Sequence, residues 1–118
     1  MSPEKFGRST QARFILDAHL NGLEVSIPFD SLPGYDVIVD NGRRLWRIQV
    51  KGVTIGTRGN YTVNIRKPGR PQPNFDWCAV WMSRENRWAF LPRYLRRRTI
   101  VRLTATGKFS GRGWEIFR

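Results

Sequence analysis

Cysteine and histidine are almost missing from this chain of 118 residues, and acidic residues are scarce. Cys78 stands alone, so an internal disulfide is excluded, and with His19 the only histidine there is no Cys/His cluster to hold zinc. A reducing compartment, cytoplasmic or nucleoid, follows. Long apolar runs are absent too. The longest strictly apolar stretch, residues 77–82, is far short of the about 20 residues that cross a bilayer. The N-terminus carries no apolar segment of the kind a signal peptide needs. The chain is therefore expected to be neither exported nor membrane-embedded. No internal repeat or low-complexity linker interrupts it, and residues 1–118 suit one domain with a single core.

What is present is positive charge. The 21 Lys and Arg against 9 Asp and Glu leave a formal +12, with an isoelectric point near 11.4. Such a field draws polyanions, and nucleic acid is the commonest of these inside a cell. An anionic membrane surface is the competing partner, but the basic residues are spread over many segments and do not line one amphipathic helix. A hydrophobic fraction of 40% excludes a disordered chain.

The organising stretch is residues 35–51, YDVIVDNGRRLWRIQVK. Asn41-Gly42 predicts a hairpin closed by a two-residue type I′ turn, whose central residues need positive φ. That turn sets Asp40 opposite Arg43, Ile38 opposite Leu45 and Asp36 opposite Arg47. Side chains alternate along strands, so Val37, Val39, Trp46, Ile48 and Val50 form an apolar face, while Asp36, Asp40, Arg47, Gln49 and Lys51 gather on the other. One face packs and the other is free for chemistry. Taken singly, each polar residue also suits a plain solvated face. Asp36 with Arg47 would then be an ordinary cross-strand ion pair of at most about 1 kcal/mol.

An acidic residue entering one strand and Gln49-Val50-Lys51 on the next, with Gly22-Leu23-Glu24-Val25 before them and Pro28 and Tyr35-Asp36 between, is a pattern with a known counterpart. The chain resembles the PD-(D/E)XK nuclease superfamily, and within it the group I intron homing endonucleases, over nearly its full length. The resemblance implies a restriction-endonuclease-like α+β or α/β fold, with a mixed central β-sheet flanked by an N-terminal helix. It implies hydrolysis of a DNA phosphodiester with Mg²⁺, or another divalent cation such as Mn²⁺ or Ca²⁺, held by Asp36, the Gln49 amide oxygen and the Val50 carbonyl. Lys51 would help deprotonate the attacking water or stabilise charge on the phosphate. Many members carry a Glu on the N-terminal helix, and Gln11 resembles that catalytic position with its charge removed. A solvated Gln in the first turn of a helix is an equal reading. Gln49 also stands where the usual pattern has an acid, so weak cation affinity is expected until DNA adds phosphate ligands. Asp30 competes with Asp36 for the aspartate role, and Asp36 is preferred because a strand fixes its direction.

The remaining elements are read from local signals. Ser9 or Thr10 caps a helix that runs to Leu20 and is ended by Gly22, after a flexible basic lead over residues 1–8. Strands follow over residues 23–27, 60–66, 76–82, 87–91 and 99–105, with a turn at Pro33-Gly34 and a helical turn over 94–98. The near-continuous apolar run at 78–82 suits a central strand covered on both faces. Residues 107–118 form a tail whose apolar side chains cover the fold's edge or meet a second subunit or DNA. Cys78, Trp46 and Trp81 are expected in the core and His19 at the surface. DNA contacts fall to Arg8, Arg58, Arg66, Lys67 and Arg70 around the hairpin and to the triplet Arg96, Arg97 and Arg98, which suits phosphates. A homing endonuclease reads a long site in double-stranded DNA, so a homo-oligomer, a dimer or a dimer of dimers, is expected. Two alternatives differ in kind: a Holliday-junction resolvase that reads branched shape, and a weakened or catalytically silent DNA-binding module, which Gln11 with Gln49 favours.

Overall fold

Ser2 and Pro3 start the first element of the computed structural model, which describes residues 1–30, 34–56 and 58–118. Helix α1 spans Pro3–Leu20. The Ser2 hydroxyl accepts the Lys5 amide at 3.2 Å. Pro3 fills a position where no amide hydrogen is missed, and Glu4 meets the positive end of the helix dipole. The expected start at Ser9 or Thr10 is therefore wrong. Both hydroxyls donate back to the carbonyls of Lys5 and Phe6, at 2.8 and 2.9 Å, inside the helix. Residues 3–8, expected as a loose lead, form its first turns. At the far end Gly22, with φ +79, lets the Leu23 amide reach the Ala18 carbonyl and its own amide reach His19, both at 3.0 Å.

The strands follow as β1 (Glu24–Ser26), β2 (Val37–Asp40), β3 (Leu45–Gly52), β4 (Tyr61–Asn64), β5 (Trp77–Met82), β6 (Arg87–Pro92) and β7 (Ile100–Leu103). Five of them form a mixed sheet in the order β1-β2-β3-β5-β6, in which β3 and β5 run parallel and the other neighbours antiparallel. β4 and β7 pair antiparallel as a separate ribbon. The mixed α+β class with an N-terminal helix on a central sheet is as the sequence implied. Among the described residues no helix is long and apolar enough to cross a membrane.

Each face of the sheet has its own core. On the helix side Phe14 and Ala18 pack with Val37, Val39, Trp46 and Ile48, and Phe14 meets Trp88 and Trp114 at ring distances of 5.3 and 5.4 Å. On the other side Cys78 and Val80 pack under the ribbon with Tyr61, Val63 and Val101. Trp46 is buried as expected, whereas Trp81 is half-buried with the Arg13 guanidinium over its ring. The tail returns through a 3-10 turn, Trp114–Phe117, that buries Phe117 and gives its carbonyl to Asn41 Nδ2 at 2.9 Å.

The hairpin forms, with a register two residues away from the expected one. Asp40 faces Leu45, Ile38 faces Arg47 and Val37 faces Ile48, so the pairings Asp40–Arg43, Ile38–Leu45 and Asp36–Arg47 do not occur. Side chains explain the longer connection. Asp40 Oδ1 accepts the Gly42 amide at 2.7 Å, and Asn41 Oδ1 accepts the amides of Arg43 and Arg44 at 2.9 and 2.8 Å. These bonds stabilise a four-residue loop over 41–44, in which only Gly42 has positive φ. A slip of two preserves the side-chain alternation, so the apolar face still packs inward.

The turn expected at Pro33-Gly34 lies partly outside the described residues. Gly34 has φ +103, and a Cβ there would sit 2.0 Å from the Asn74 backbone nitrogen.

Candidate active site

Asp36 lies one residue before β2, and continuing the hairpin register by one step sets it beside Gln49. Its amide donates to the Ile48 carbonyl at 2.8 Å. Because β2 begins only at Val37, β3 runs on with an uncovered edge, and the Asp36 carboxylate takes over there as acceptor. Its Oδ2 receives the Val50 amide at 2.7 Å and Gln49 Nε2 at 3.3 Å. Lys51 follows Gln49 by two residues, on the same face, and its charge acts on Asp36. Burial pushes the Asp36 carboxyl above its ordinary value. The Val50 amide, the Lys51 charge and the Gln49 amide oppose that rise without cancelling it.

Arg47 does not pair with Asp36. It turns to Asp76, just before β5, which accepts the Arg47 amide at 2.8 Å and its guanidinium at 3.3 and 3.1 Å. Among the described residues this leaves Asp36 without an arginine partner.

Helix α1 brings a second wall. Glu4, Arg8 and Gln11 are spaced to share one helix face, and with Asp36, Gln49 and Val50 they line a pocket of about 430 Å³. Gln11 is thus mid-helix, not in the first turn, because the helix starts earlier than expected. Glu4 was missed for the same reason. Its signal was the Ser2-Pro3-Glu4 start, which reads as cap, first position and acidic first turn.

On the other side of Gln49, Arg66, Lys67 and Arg70 line a cavity of about 660 Å³. Arg66 Nε is buried and, among the described residues, has no hydrogen-bond partner. A buried donor without an acceptor is costly. Lys51 lines neither space. Arg58 is exposed and lies outside both. Arg96 and Arg97 are not beside Asp36. They line a third cavity, at the opposite end of β3, and Arg98 is exposed outside it.

Among the described residues no three of His, Cys, Asp and Glu gather to hold a metal. Asp36, the Gln49 amide and the Val50 carbonyl, with Glu4 and Gln11 facing them from the helix, are an oxygen-rich set. Such a set fits Mg²⁺, which takes one or two carboxylates and completes its shell with water and phosphate, and does not fit zinc. Presenting the Gln49 oxygen to a cation shared with Asp36 takes a half-turn of the amide. Cys78 is fully buried, with its thiol pushed up to about 12, and is inert.

The sequence profile of the PD-(D/E)XK endonuclease family matches residues 1–92. No curated protein matches the chain in sequence. The fold is similar to that of a bacterial homing endonuclease, I-Ssp6803I, with a TM-score of 0.74 and 24% identity over 91% of this chain and 78% of that one. It is also similar to Hjc, a Holliday junction resolvase from the archaeal hyperthermophile Archaeoglobus fulgidus, with a TM-score of 0.55 and 16% identity over 83% of each chain.

Proposed function

The chain belongs to the PD-(D/E)XK endonuclease family, and from that premise we propose that it is a Mg²⁺-dependent DNA endonuclease of the homing type, cutting both strands of a long site. One observation carries this reading: Asp36, Gln49 and Val50 meet through one carboxylate oxygen at the open edge of β3, with Lys51 beside them. Asp36, Gln49 and the Val50 carbonyl would hold the cation, which when bound neutralises charge on the scissile phosphate. Lys51 would exchange a proton with the attacking water or meet the charge that builds on the phosphate. Gln11 and Glu4 form the helix wall, and Glu4 offers the second carboxylate that Gln11 and Gln49 do not.

Arg8 on one side of Gln49 and Arg66, Lys67 and Arg70 on the other would hold the backbone across the cut. The longest extent of the molecule is 40 Å, about 12 base pairs at 3.4 Å each. A long site therefore calls for two or four copies of the chain, each pair placing one catalytic centre on each strand. Residues 1–118 act in this reading as one nuclease domain in the cytoplasm or nucleoid.

The likeness to an archaeal resolvase supports junction cutting as a second reading. The test is incubation with Mg²⁺ and supercoiled plasmid, linear duplex or a four-way junction, with Lys51→Ala as control. Site-specific double-strand cuts support the homing reading and junction cuts the resolvase reading. Binding without any cut by the wild type would refute both and leave a silent DNA-binding module.

A further inference from the structure

Six arginines from three separate stretches meet at the end of the sheet remote from Asp36. Arg43 and Arg44 come from the 41–44 loop, Arg93, Arg96 and Arg97 from the 3-10 turn Arg93–Arg97, and Arg118 from the C-terminus. They line an open groove of about 970 Å³. The carboxylate in its lining, Asp76, is already engaged by Arg47 at 3.1 Å and Arg93 at 3.5 Å. Among the described residues no other carboxylate lines the groove, and of the other five arginines only Arg118 acts on a nearby acid, Glu115 outside the lining. Arg44 stacks over Trp46 at 5.1 Å, which orders a guanidinium that water would otherwise leave mobile.

The groove and the candidate active site share no lining residue but are linked along β3. Arg47 lies two residues before Gln49 on one face of β3, and Asp76 joins Arg47 to Arg93. From Trp46, in the groove, to Val50, at the site, β3 advances about 13 Å at about 3.3 Å per residue. That is roughly four base-pair steps of duplex.

We propose that this groove grips the phosphate backbone of the duplex flanking the cut, so that each subunit holds DNA at two places, one at the scissile phosphate and one beyond the Arg47–Asp76 bridge. The proposal rests on the DNA-nuclease reading above. Planar guanidiniums match phosphate oxygens two at a time, and several in an open trough suit a repeating polyanion. A second copy of the chain is a poor occupant, because twofold packing of this face would set arginine against arginine.

Arg43, Arg97 and Arg118 are exposed, so they can be changed together without touching the core. The experiment compares the wild type, R43Q/R97Q/R118Q and R43K/R97K/R118K in binding a fluorescent duplex of about 24 base pairs, twice the 40 Å extent, in EDTA across a salt series. The Gln variant should bind more weakly, with a log–log salt slope shallower by up to about 2.7, or about 0.9 for each phosphate no longer neutralised. The Lys variant should keep the wild-type slope. A Gln variant with the wild-type slope would overturn the proposal, as would a Lys variant that loses as much as the Gln variant, since charge should then suffice. A wild type that cuts DNA while the groove variants bind unchanged sinks only the groove. A wild type that neither binds nor cuts duplex sinks the nuclease reading with it.

Discussion

Replacing Asp76 by Asn should loosen the seam between β3, which carries Gln49 and Lys51, and its parallel neighbour β5. Asp76 accepts three bonds from Arg47, one from its amide and two from its guanidinium, and Arg93 stands 3.5 Å away. Its side chain is 18% exposed and that of Arg47 32%. Charge-assisted bonds are worth about 1.5–3 kcal/mol each when sheltered. Here one carboxylate serves all three, Arg47 is partly screened, and Asn keeps an acceptor for the amide, which together reduce the loss to about 2 kcal/mol. At about 2.1 cal/mol/K per residue the 118 residues turn that into a fall of about 8 °C in Tm. Burial pushes the Asp76 carboxyl up, but the Arg47 bonds and charge, with Arg93, hold it below its ordinary value. Its contribution to stability is therefore full above the unfolded value, close to 3.8, and is lost as pH falls through the lower folded one. Urea unfolding followed by tryptophan fluorescence should show the gap between wild type and Asp76→Asn at pH 7 and a smaller gap at pH 3. An equal gap at both, or one below about 0.5 kcal/mol at pH 7, would refute the ion-pair account.

Further outcomes follow from the site. Lys51→Ala should slow cleavage by about 10²- to 10⁴-fold while duplex affinity in EDTA stays within about twofold; a parallel loss of binding would move Lys51 from catalysis to DNA contact. Because burial raises the Asp36 carboxyl of the metal-free site, Mg²⁺ binding should weaken on the acid side already above the 3.8 of an ordinary aspartate, where proton and cation compete. The folded state holds that proton more tightly than the unfolded chain, so stability from Asp36 is present in acid and lost as pH rises through its folded value. Asp36→Asn should accordingly raise Tm at pH 7 while abolishing cleavage, and a lowered Tm would contradict the burial argument. Glu4→Gln should weaken Mg²⁺ binding about 10-fold by calorimetry, and Gln11→Glu should strengthen it. No change in either would return both residues to the solvent.

The side-chain alternation of the hairpin was legible because it depends only on period, and a slip of two residues leaves period intact. Which residues face each other was not legible. Asn41-Gly42 signals a tight turn, but Asp40 and Asn41 each accept neighbouring amides and lengthen it, a choice made by side-chain oxygens that dipeptide statistics do not resolve. The partner of Arg47 was out of reach for another reason. Asp76 arrives 29 residues later on a parallel neighbour, and nothing in the hairpin announces a non-local strand. The helix start was legible and misread. Gly7 and the lack of apolar residues at 8–10 hid a helix whose cap, Ser2-Pro3-Glu4, was in plain view, and with it went Glu4. The arginine triplet showed charge without address, since only the folded chain separates Arg96 and Arg97 from Asp36.

Gly34 brings two of these parts into direct backbone contact. With no side chain of its own, it lets the segment that leads to the aspartate lie against residues 73–74, at the end of the loop that carries Arg70. Even a methyl group there would have to displace peptide backbone, so any larger residue would push the two segments apart. A pull on the basic loop by a bound polyanion would reach the carboxylate two residues further on. The grip on the substrate and the aim of the aspartate would then be set by the same hydrogen-sized gap.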